Sequence, residues 1–471
     1  MIEPFGRRNV QSHIDPGHED YASLPVSVLA HGDRRLEAET YLTGGYGMRV
    51  QIETLTSFKR FGELAEVWQP TRLKGIQVDR ETGVPFLTAT QAFDIRPLPR
   101  KWLAPSKTPD LEQRLIKRGW LLVTCSGNIG DTTVAFAPHV DVVMSHDLLR
   151  VEPRDEARWG YLYAFLRSRF GRTMLRSSQY GSVVKHLEPE HLRQIPVPLL
   201  DHDLEARLDA AVREVFRLRE QAYNLTRQAE QLYTSHVPIP ASEDISDYAT
   251  NSGVLLTGRR RLDAYHYNPL ARTIEAEMRA IGNVVPLSSL ATRITLPNRF
   301  VRIFAPSGIP YLGSEDIFKI NPEITKFIGA SSARALEKYR VASGALLVAR
   351  SGQTYGLLGS VMLASARHEG KIVSEDIIRV VPRGVRPGYL ATALGHPKLG
   401  RRLILRMAFG SSVPHIAPED LATVPILRLP TAEDDIASCM EEASALRLQA
   451  DEREDALVAR VEHAIQVAVQ A

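Results

Sequence analysis

The stretch DLEARLDAAVREVFRLREQAYNLTRQAEQLY, running from Asp203 to Tyr233, decides how the rest of the chain is read. Its apolar residues Leu204, Leu208, Ala211, Val215, Leu218, Ala222, Leu225, Ala229 and Leu232 are spaced 4-3-4-3-4-3-4-3, with Arg, Glu and Gln at most other positions. A heptad seam sustained over four repeats predicts a helix that pairs with another helix along one narrow stripe, and 31 residues rising 1.5 Å each make a rod of about 46 Å. The same spacing also suits an amphipathic helix lying on a globular core. A second helix at the far end weighs for pairing. From Ile436 the heptad passes through Met440, Ala443, Arg447, Ala450, Glu454, Leu457, Val461, Ala464 and Ala468. Arg447 and Glu454 are polar at seam positions, where such residues set register at a cost in stability; alternatively Leu446 and Leu448 carry the packing locally across an interruption. The expected seam is Leu204, Leu208, Val215, Leu218, Leu225 and Leu232 on the first helix, and Ile436, Met440, Leu457 and Val461 on the second.

The sequence flanking these helices is written twice. Arg35-Leu36-Glu37-Ala38-Glu39-Thr40-Tyr41 returns as Arg261-Leu262-Asp263-Ala264-Tyr265-His266-Tyr267, and Pro85-Phe86-Leu87 returns as Pro310-Tyr311-Leu312. Gly119-Trp120-Leu121-Leu122-Val123 with Ser126-Gly127 matches Gly344-Ala345-Leu346-Leu347-Val348 with Ser351-Gly352. Ser145-His146-Asp147-Leu148-Leu149-Arg150-Val151 matches Ser374-Glu375-Asp376-Ile377-Ile378-Arg379-Val380, and Gly160-Tyr161-Leu162 matches Gly388-Tyr389-Leu390. Gly181-Ser182-Val183 with His186 matches Gly410-Ser411-Ser412 with His415. The period is a whole domain, which excludes solenoid repeats of about 20 to 50 residues. Each copy reads as mixed α and β. The Leu-Leu-Val runs are buried strands entering a Gly-rich turn. DLLRVEP and DIIRVVP alternate and stop at Pro, so they read as half-buried strands. Tyr161 to Leu175 and Tyr389 to Leu405 carry helical spacing, and each copy leaves through a proline-punctuated run, Ile195 to Pro198 and Val424 to Ile426. The expected order is an N-terminal arm (1–30), a first domain (31–200), a central helix (201–235), a linker with an acidic string (236–258), a second domain (259–430) and a C-terminal helix (431–471).

Composition excludes more than it identifies. No run approaches about 18 uninterrupted apolar residues and the N-terminus has no apolar signal core, so a cytoplasmic protein without membrane association is expected. Cys125 and Cys439 lie in an apolar run and a helical heptad, which suggests packing rather than a disulfide or metal site. Net charge is only +3, but the base is mostly arginine, with 58 − 11 = 47 Arg against 11 Lys. Arginine's fork contacts guanine edges and phosphates bidentately, which suits a nucleic-acid reader; a GC-rich coding bias would give the same ratio. Neither a Walker loop, a G-x-G-x-x-G, an H-E-x-x-H, a paired C-x-x-C nor an Asn-Pro-Pro-Tyr loop is present. Asp147 and Asp376 recur at equivalent strand starts, as hydrogen-bonding caps do. No catalytic residue, metal ligand or cofactor is expected.

Two divergent α/β domains, each followed by a long helix, with the repeated Gly-x-Leu-Leu-Val…Ser-Gly core, the Gly-Ser turns ending in His, and the Ile-Pro-Val-Pro exit: in this the chain resembles the DNA-specificity (S) subunits of type I restriction-modification systems over nearly its whole length. The resemblance implies an α+β fold of two homologous α/β target recognition domains, their two helices pairing as an antiparallel coiled coil. It implies a non-catalytic subunit that reads a split, asymmetric site on double-stranded DNA and positions two DNA adenine methyltransferase subunits, with a restriction or translocase subunit besides. The arm, the acidic linker and the polar seam positions depart from the family pattern and leave room for a variant, methylation-linked anti-phage system. Phosphate contacts need Arg, Lys and turn amides, and base readout needs polar side chains on loops. The DNA-binding candidates are therefore Arg72, Lys74, Gln179, Ser182, Lys185 and His186 in the first half, and Asn298, Arg299, Arg302, Ser411, Ser412 and His415 in the second. The competing readings are a coiled-coil scaffold that binds only proteins, and a single-chain methyltransferase or nuclease with disguised catalytic residues.

Overall fold

A computed structural model of the chain describes residues 41, 44–180, 185–240, 249–256, 261–262, 264–329 and 336–470. The expected arm (1–30), nearly all of the Arg35 to Tyr41 segment and the acidic part of the linker lie outside these residues. The chain divides into two compact units, Met1–Arg217 with Glu452–Ala471, and Leu218–Asp451. The division cuts both long helices, which the expected boundaries keep as segments of their own.

In the first unit the strands are β1 (Phe58–Arg60), β2 (Ala65–Trp68), β3 (Gln77–Val78), β4 (Val84–Leu87), β5 (Lys101–Leu103), β6 (Leu121–Thr124), β7 (Thr132–Val134), β8 (Val143–Met144), β9 (Leu148–Pro153) and β10 (Pro196–Pro198). They form sheets of order β2-β9-β6-β7, β3-β5-β4-β8 and β1-β10. Helices α1 (Gly45–Leu55), α2 (Trp159–Arg167) and α3 (Arg169–Ser177) accompany them, and α4 (His202–His236) is the first long helix. In the second unit α5 (Pro269–Ile281) precedes β11 (Val284–Pro286), β12 (Ala291–Thr295), β13 (Phe304–Ala305), β14 (Ile309–Leu312), β15 (Phe327–Ile328), β16 (Leu346–Ala349), β17 (Val361–Leu363), β18 (Ile372–Val373), β19 (Ile377–Pro382) and β20 (Pro425–Leu427). Their orders are β12-β19-β16-β17, β13-β15-β14-β18 and β11-β20. Strand for strand this is the topology of the first unit. Helices α6 (Pro387–Gly395) and α7 (Gly400–Leu405) come next, and α8 (Glu433–Gln470) closes the chain.

The Leu-Leu-Val runs form β6 and β16, each buried along its whole length, which is why their apolar character is continuous rather than alternating. DLLRVEP and DIIRVVP correct an expectation: β9 and β19 are buried on both faces for four residues, not half-buried. The arginine in each goes inside. Arg150 donates to the carbonyls of Met144 (2.8 Å) and Ser145 (3.0 Å), and Arg379 to those of Val373 (2.8 Å), Ile377 (2.8 Å) and Tyr339 (3.2 Å). Burial pulls both guanidinium pKa values down to about 10, so they remain charged at neutral pH, held by carbonyl dipoles through their terminal nitrogens while each Nε is buried without a hydrogen-bond partner. The helical runs after them also differ from expectation, each being broken in two. Ser168, extended at φ −70° and ψ 160°, ends α2 and caps α3 by accepting from Gly171 N at 3.3 Å. The proline exits form β10 and β20, each paired with one short strand, β1 or β11, where missing amide donors cost least.

The Gly-Tyr-Leu motif has a packing reason. Gly160 N donates to Asp209 Oδ1 (2.9 Å) on α4, and Gly388 N to Glu441 Oε1 (3.0 Å) on α8. A Cβ on Gly160 would lie 2.5 Å from Asp209 Cα, and one on Gly388 2.4 Å from the Ala437 carbonyl oxygen. Only glycine lets each sheet domain seat against its long helix so closely. The neighbouring tyrosines tie in the exit strands: Tyr161 OH donates to Pro198 O (2.7 Å) and Tyr389 OH to Leu427 O.

The buried residues of α4 are Glu205, Leu208, Val212, Val215, Phe216, Leu218, Arg219, Ala222, Thr226, Ala229 and Tyr233. Of the expected seam, Leu208, Val215 and Leu218 are buried, whereas Leu204, Leu225 and Leu232 are half-buried, with burial passing to Thr226 beside Leu225 and to Tyr233 beside Leu232. On α8 Ile436, Met440, Leu457 and Val461 are buried, as is Ile465, while Ala464 is half-buried. Within the second unit Arg219 pairs with Asp451 (3.3 Å) and Arg447 donates to Thr226 Oγ1 (2.6 Å), which makes the helices antiparallel there. Within the first, Arg453 donates to Glu214 Oε1 (2.6 Å). Glu454, a polar seam position, is fully buried. It accepts from Tyr163 OH and pairs with Arg167 (3.4 Å) on α2. No helix among the described residues is long and apolar enough to cross a membrane.

Candidate nucleic-acid interface

In the second unit three of the repeated segments converge: the Ser-Gly turn after the central strand, the Ser-x-Asp turn before the buried-arginine strand, and the glycine hairpin that ends at His; in the first unit the two turns and the Tyr180–His186 pair are described. In the second unit Phe409 and His415 pair through both backbone amides (2.9 and 2.8 Å), closing the hairpin over Gly410 at φ 95°. Gly352 N donates to Pro414 O (3.1 Å) and Gln353 Nε2 to Ser412 O (3.0 Å), which pins the hairpin onto the Ser-Gly turn. Ser351 Oγ lies 2.8 Å from His415 Nδ1 and 3.2 Å from Asp376 Oδ1, and Arg350 pairs with Asp376 at 3.5 Å. Burial first, then the Arg350 charge, lowers the His415 pKa, with Asp376 opposing and Arg299 reinforcing, so the imidazole is neutral near pH 7.

The first unit repeats the bracket. Tyr180 and His186 exchange backbone bonds (3.0 and 2.8 Å) and Leu187 N donates to Cys125 O (2.9 Å). Ser126 Oγ and Ser145 Oγ donate to the two oxygens of Asp147 at 2.8 and 2.6 Å. Burial would raise the Asp147 pKa, but the Ser145 and Ser126 hydroxyls, then His146 and Arg72, outweigh it and hold the carboxylate ionised below the usual range. Cys125 is buried beside it, and burial, then Asp147, pushes its thiol up to about 12, which leaves it protonated and unreactive.

Ser351, His415 and Asp376 resemble the members of a hydrolytic triad but are wired differently. In a triad the imidazole stands between carboxylate and hydroxyl. Here the hydroxyl stands between the other two, so the carboxylate competes with the imidazole for serine and does not orient it. The arrangement ties three loops together. Among the described residues no group of three or more His, Cys, Asp or Glu side chains is placed to hold a metal ion.

Over this bracket the expected DNA-binding residues are distributed unevenly. Arg72 and Lys74 are exposed on the loop after β2, with Arg72 close enough to act on Asp147. His186 is exposed, Lys185 and Gln179 are half-buried, and Ser182 lies outside the described residues. In the second unit Asn298, Arg299 and Arg302 are exposed on the loop after β12, Ser411 and Ser412 are exposed at the hairpin tip, and His415 is half-buried beneath them. Arg299, Phe300, Arg302, Phe304, Glu375 and Asp376 line an open cleft of about 600 Å³. Gln353, exposed on the loop after Ser351-Gly352 and bonded to Ser412 O, belongs with the hairpin, and Tyr355 (65% exposed) follows on the same loop; neither was among the candidates. Their signal was present: the Ser-Gly pair repeats, whereas the residues after it, Asn128-Ile129 in one copy and Gln353-Thr354-Tyr355 in the other, do not.

No family model matches the chain, and no curated protein matches it. Several solved structures are similar. The S subunit of a type I restriction-modification system from M. genitalium is 9% identical at TM-score 0.32, covering 88% of this chain and 95% of its own. A chain from a study of complex assembly and conformational transition of the type I R-M system is 14% identical at 0.28 (88% and 98%), and the HsdS subunit from Thermoanaerobacter tengcongensis is 15% identical at 0.26 (89% and 98%). At these identities and scores the likeness transfers no residue's role to this chain.

Proposed function

We propose that the chain is a non-catalytic DNA-specificity subunit that reads a split, asymmetric site and positions partner subunits on it. The observation that carries this reading is internal. Two units of one strand order hold the same Ser-Asp pair, with a His paired through its backbone to an aromatic residue beside it, beneath side chains that differ at equivalent places, such as exposed Lys74 against exposed Val301 and half-buried Lys185 against half-buried Pro414. A common frame with unlike tips is what recognition of two unlike half-sites requires, since sequence is read by side chains at base edges while phosphate contacts only position the protein. The exposed Arg72, Lys74, Arg299 and Arg302 suit the phosphate and guanine contacts of such a reader.

In this reading the paired long helices set the gap between half-sites and dock two DNA adenine methyltransferase subunits, with a restriction or translocase subunit besides, in the cytoplasm. The acidic linker and polar seam suit a methylation-linked anti-phage cassette with its own arrangement of partners. The test is a salt titration of the full-length chain on labelled random duplex. Neutralising phosphates releases counterions, so affinity should fall linearly on a log–log plot with a slope of about −0.9 per phosphate contacted. A chain that binds no duplex at low salt is no DNA reader. Mapping methylated sites in a host genome with and without this gene then identifies the sequence read.

A further inference from the structure

In each unit a loop leaves the outer strand of the main sheet and crosses the Ser-x-Asp turn, and strand register aligns the two copies. Trp68 pairs with Arg150, and Thr295 with Arg379. Counting on from these positions makes Gly75 the equivalent of Arg302, while His146 is the equivalent of Glu375. In the first unit a Cβ on Gly75 would lie 2.6 Å from Leu103 Cδ2, so no side chain fits there without displacing that leucine. In the second unit Arg302 is exposed, yet its guanidinium is held. It pairs with Glu375, only 4% exposed, and stands 5.6 Å over the Tyr311 ring.

A guanidinium fixed between a buried carboxylate and an aromatic face has lost much of its freedom before DNA arrives, so engaging two acceptors costs little further ordering. Two acceptors side by side on one base edge are the N7 and O6 of guanine in the major groove. The geometry points to Arg302 as the guanine-reading residue of the second unit, with Glu375 as its positioning residue. Because Gly75 takes that place in the first unit, this guanine contact has no counterpart in the other half-site. This assignment rests on the DNA-reading function proposed above.

The test selects bound duplexes from a randomised pool with the full-length chain, then measures affinity for the selected duplex with each base pair changed in turn. For the wild type, one guanine in one half-site should matter about tenfold or more. Arg302→Lys keeps the charge and the pairing with Glu375 but loses the fork, and avoids the bare buried carboxylate that an alanine would leave. It should lose that guanine preference while the other half-site and the affinity for random duplex stay unchanged. Glu375→Gln should show a smaller loss at the same position, which a merely structural residue would not. If Arg302→Lys still selects the guanine, or weakens every duplex equally and reduces the salt slope by about one, Arg302 does not read guanine. A wild type that selects no sequence at all would instead overturn the DNA-reading function, and this assignment with it.

Discussion

His139 and His368 occupy equivalent places in the two units, and both rings face inward to cap a turn. Phe136 N donates to His139 Nδ1 (3.2 Å) while Nε2 meets Ala92 O (3.0 Å), and Ser365 N donates to His368 Nδ1 (3.1 Å). Burial lowers both pKa values to about 4, from an ordinary 6.5. Between those values the unfolded chain binds more protons than the folded one, so each imidazole's contribution is present above pH 6.5 and is lost as pH falls toward 4. The full shift corresponds to roughly 3 kcal/mol per ring. Denaturant unfolding should therefore show stability dropping steeply between pH 6.5 and 4.5, and His139→Gln or His368→Gln should flatten that dependence while lowering stability at pH 7. An unchanged pH slope in both variants would show that other groups drive the loss. Nothing local in Ala137-Pro138-His139 announces a buried imidazole, because the residues that desolvate it come from distant strands and loops.

The two long helices were legible because a heptad is a local, periodic signal that any pairing partner must respect. Which side of each helix faces inward was less so. On α4 the apolar residues occupy both edges of the seam, and packing chose Thr226 and Tyr233 over Leu225 and Leu232. The two polar seam residues of α8 then differ in kind. Glu454 supplies the counter-charge of the buried Arg167, and Glu454→Gln should cost about 3 kcal/mol in denaturant unfolding, the range for breaking a buried ion pair. Half-buried Arg447 makes a bond to a neutral hydroxyl, and Arg447→Gln should cost about 1 kcal/mol. Equal costs would mean that both act only as register pins.

For the whole chain, the proposed function makes the helices a spacer. Inserting seven residues, one heptad, at the matching points of α4 and α8 preserves the pairing and adds about 10 Å of helix. The gap between the half-sites recovered by duplex selection should then grow by roughly three base pairs. An insertion in one helix alone should abolish selective binding, and an unchanged gap after the double insertion would disprove the spacer. The duplication, the Ser-Gly turns after buried strands, the proline exits and the long helices were all set by residue order, because repeats, turn chemistry and periodicity act between near neighbours. The inward arginines of β9 and β19, the turn of Glu454 toward Tyr163, 291 residues away, and the pinning of Arg302 by Glu375, 73 residues on, emerged only with tertiary structure. Burial and pairing of charge depend on which distant groups arrive to exclude water, and spacing along the chain carries no record of that.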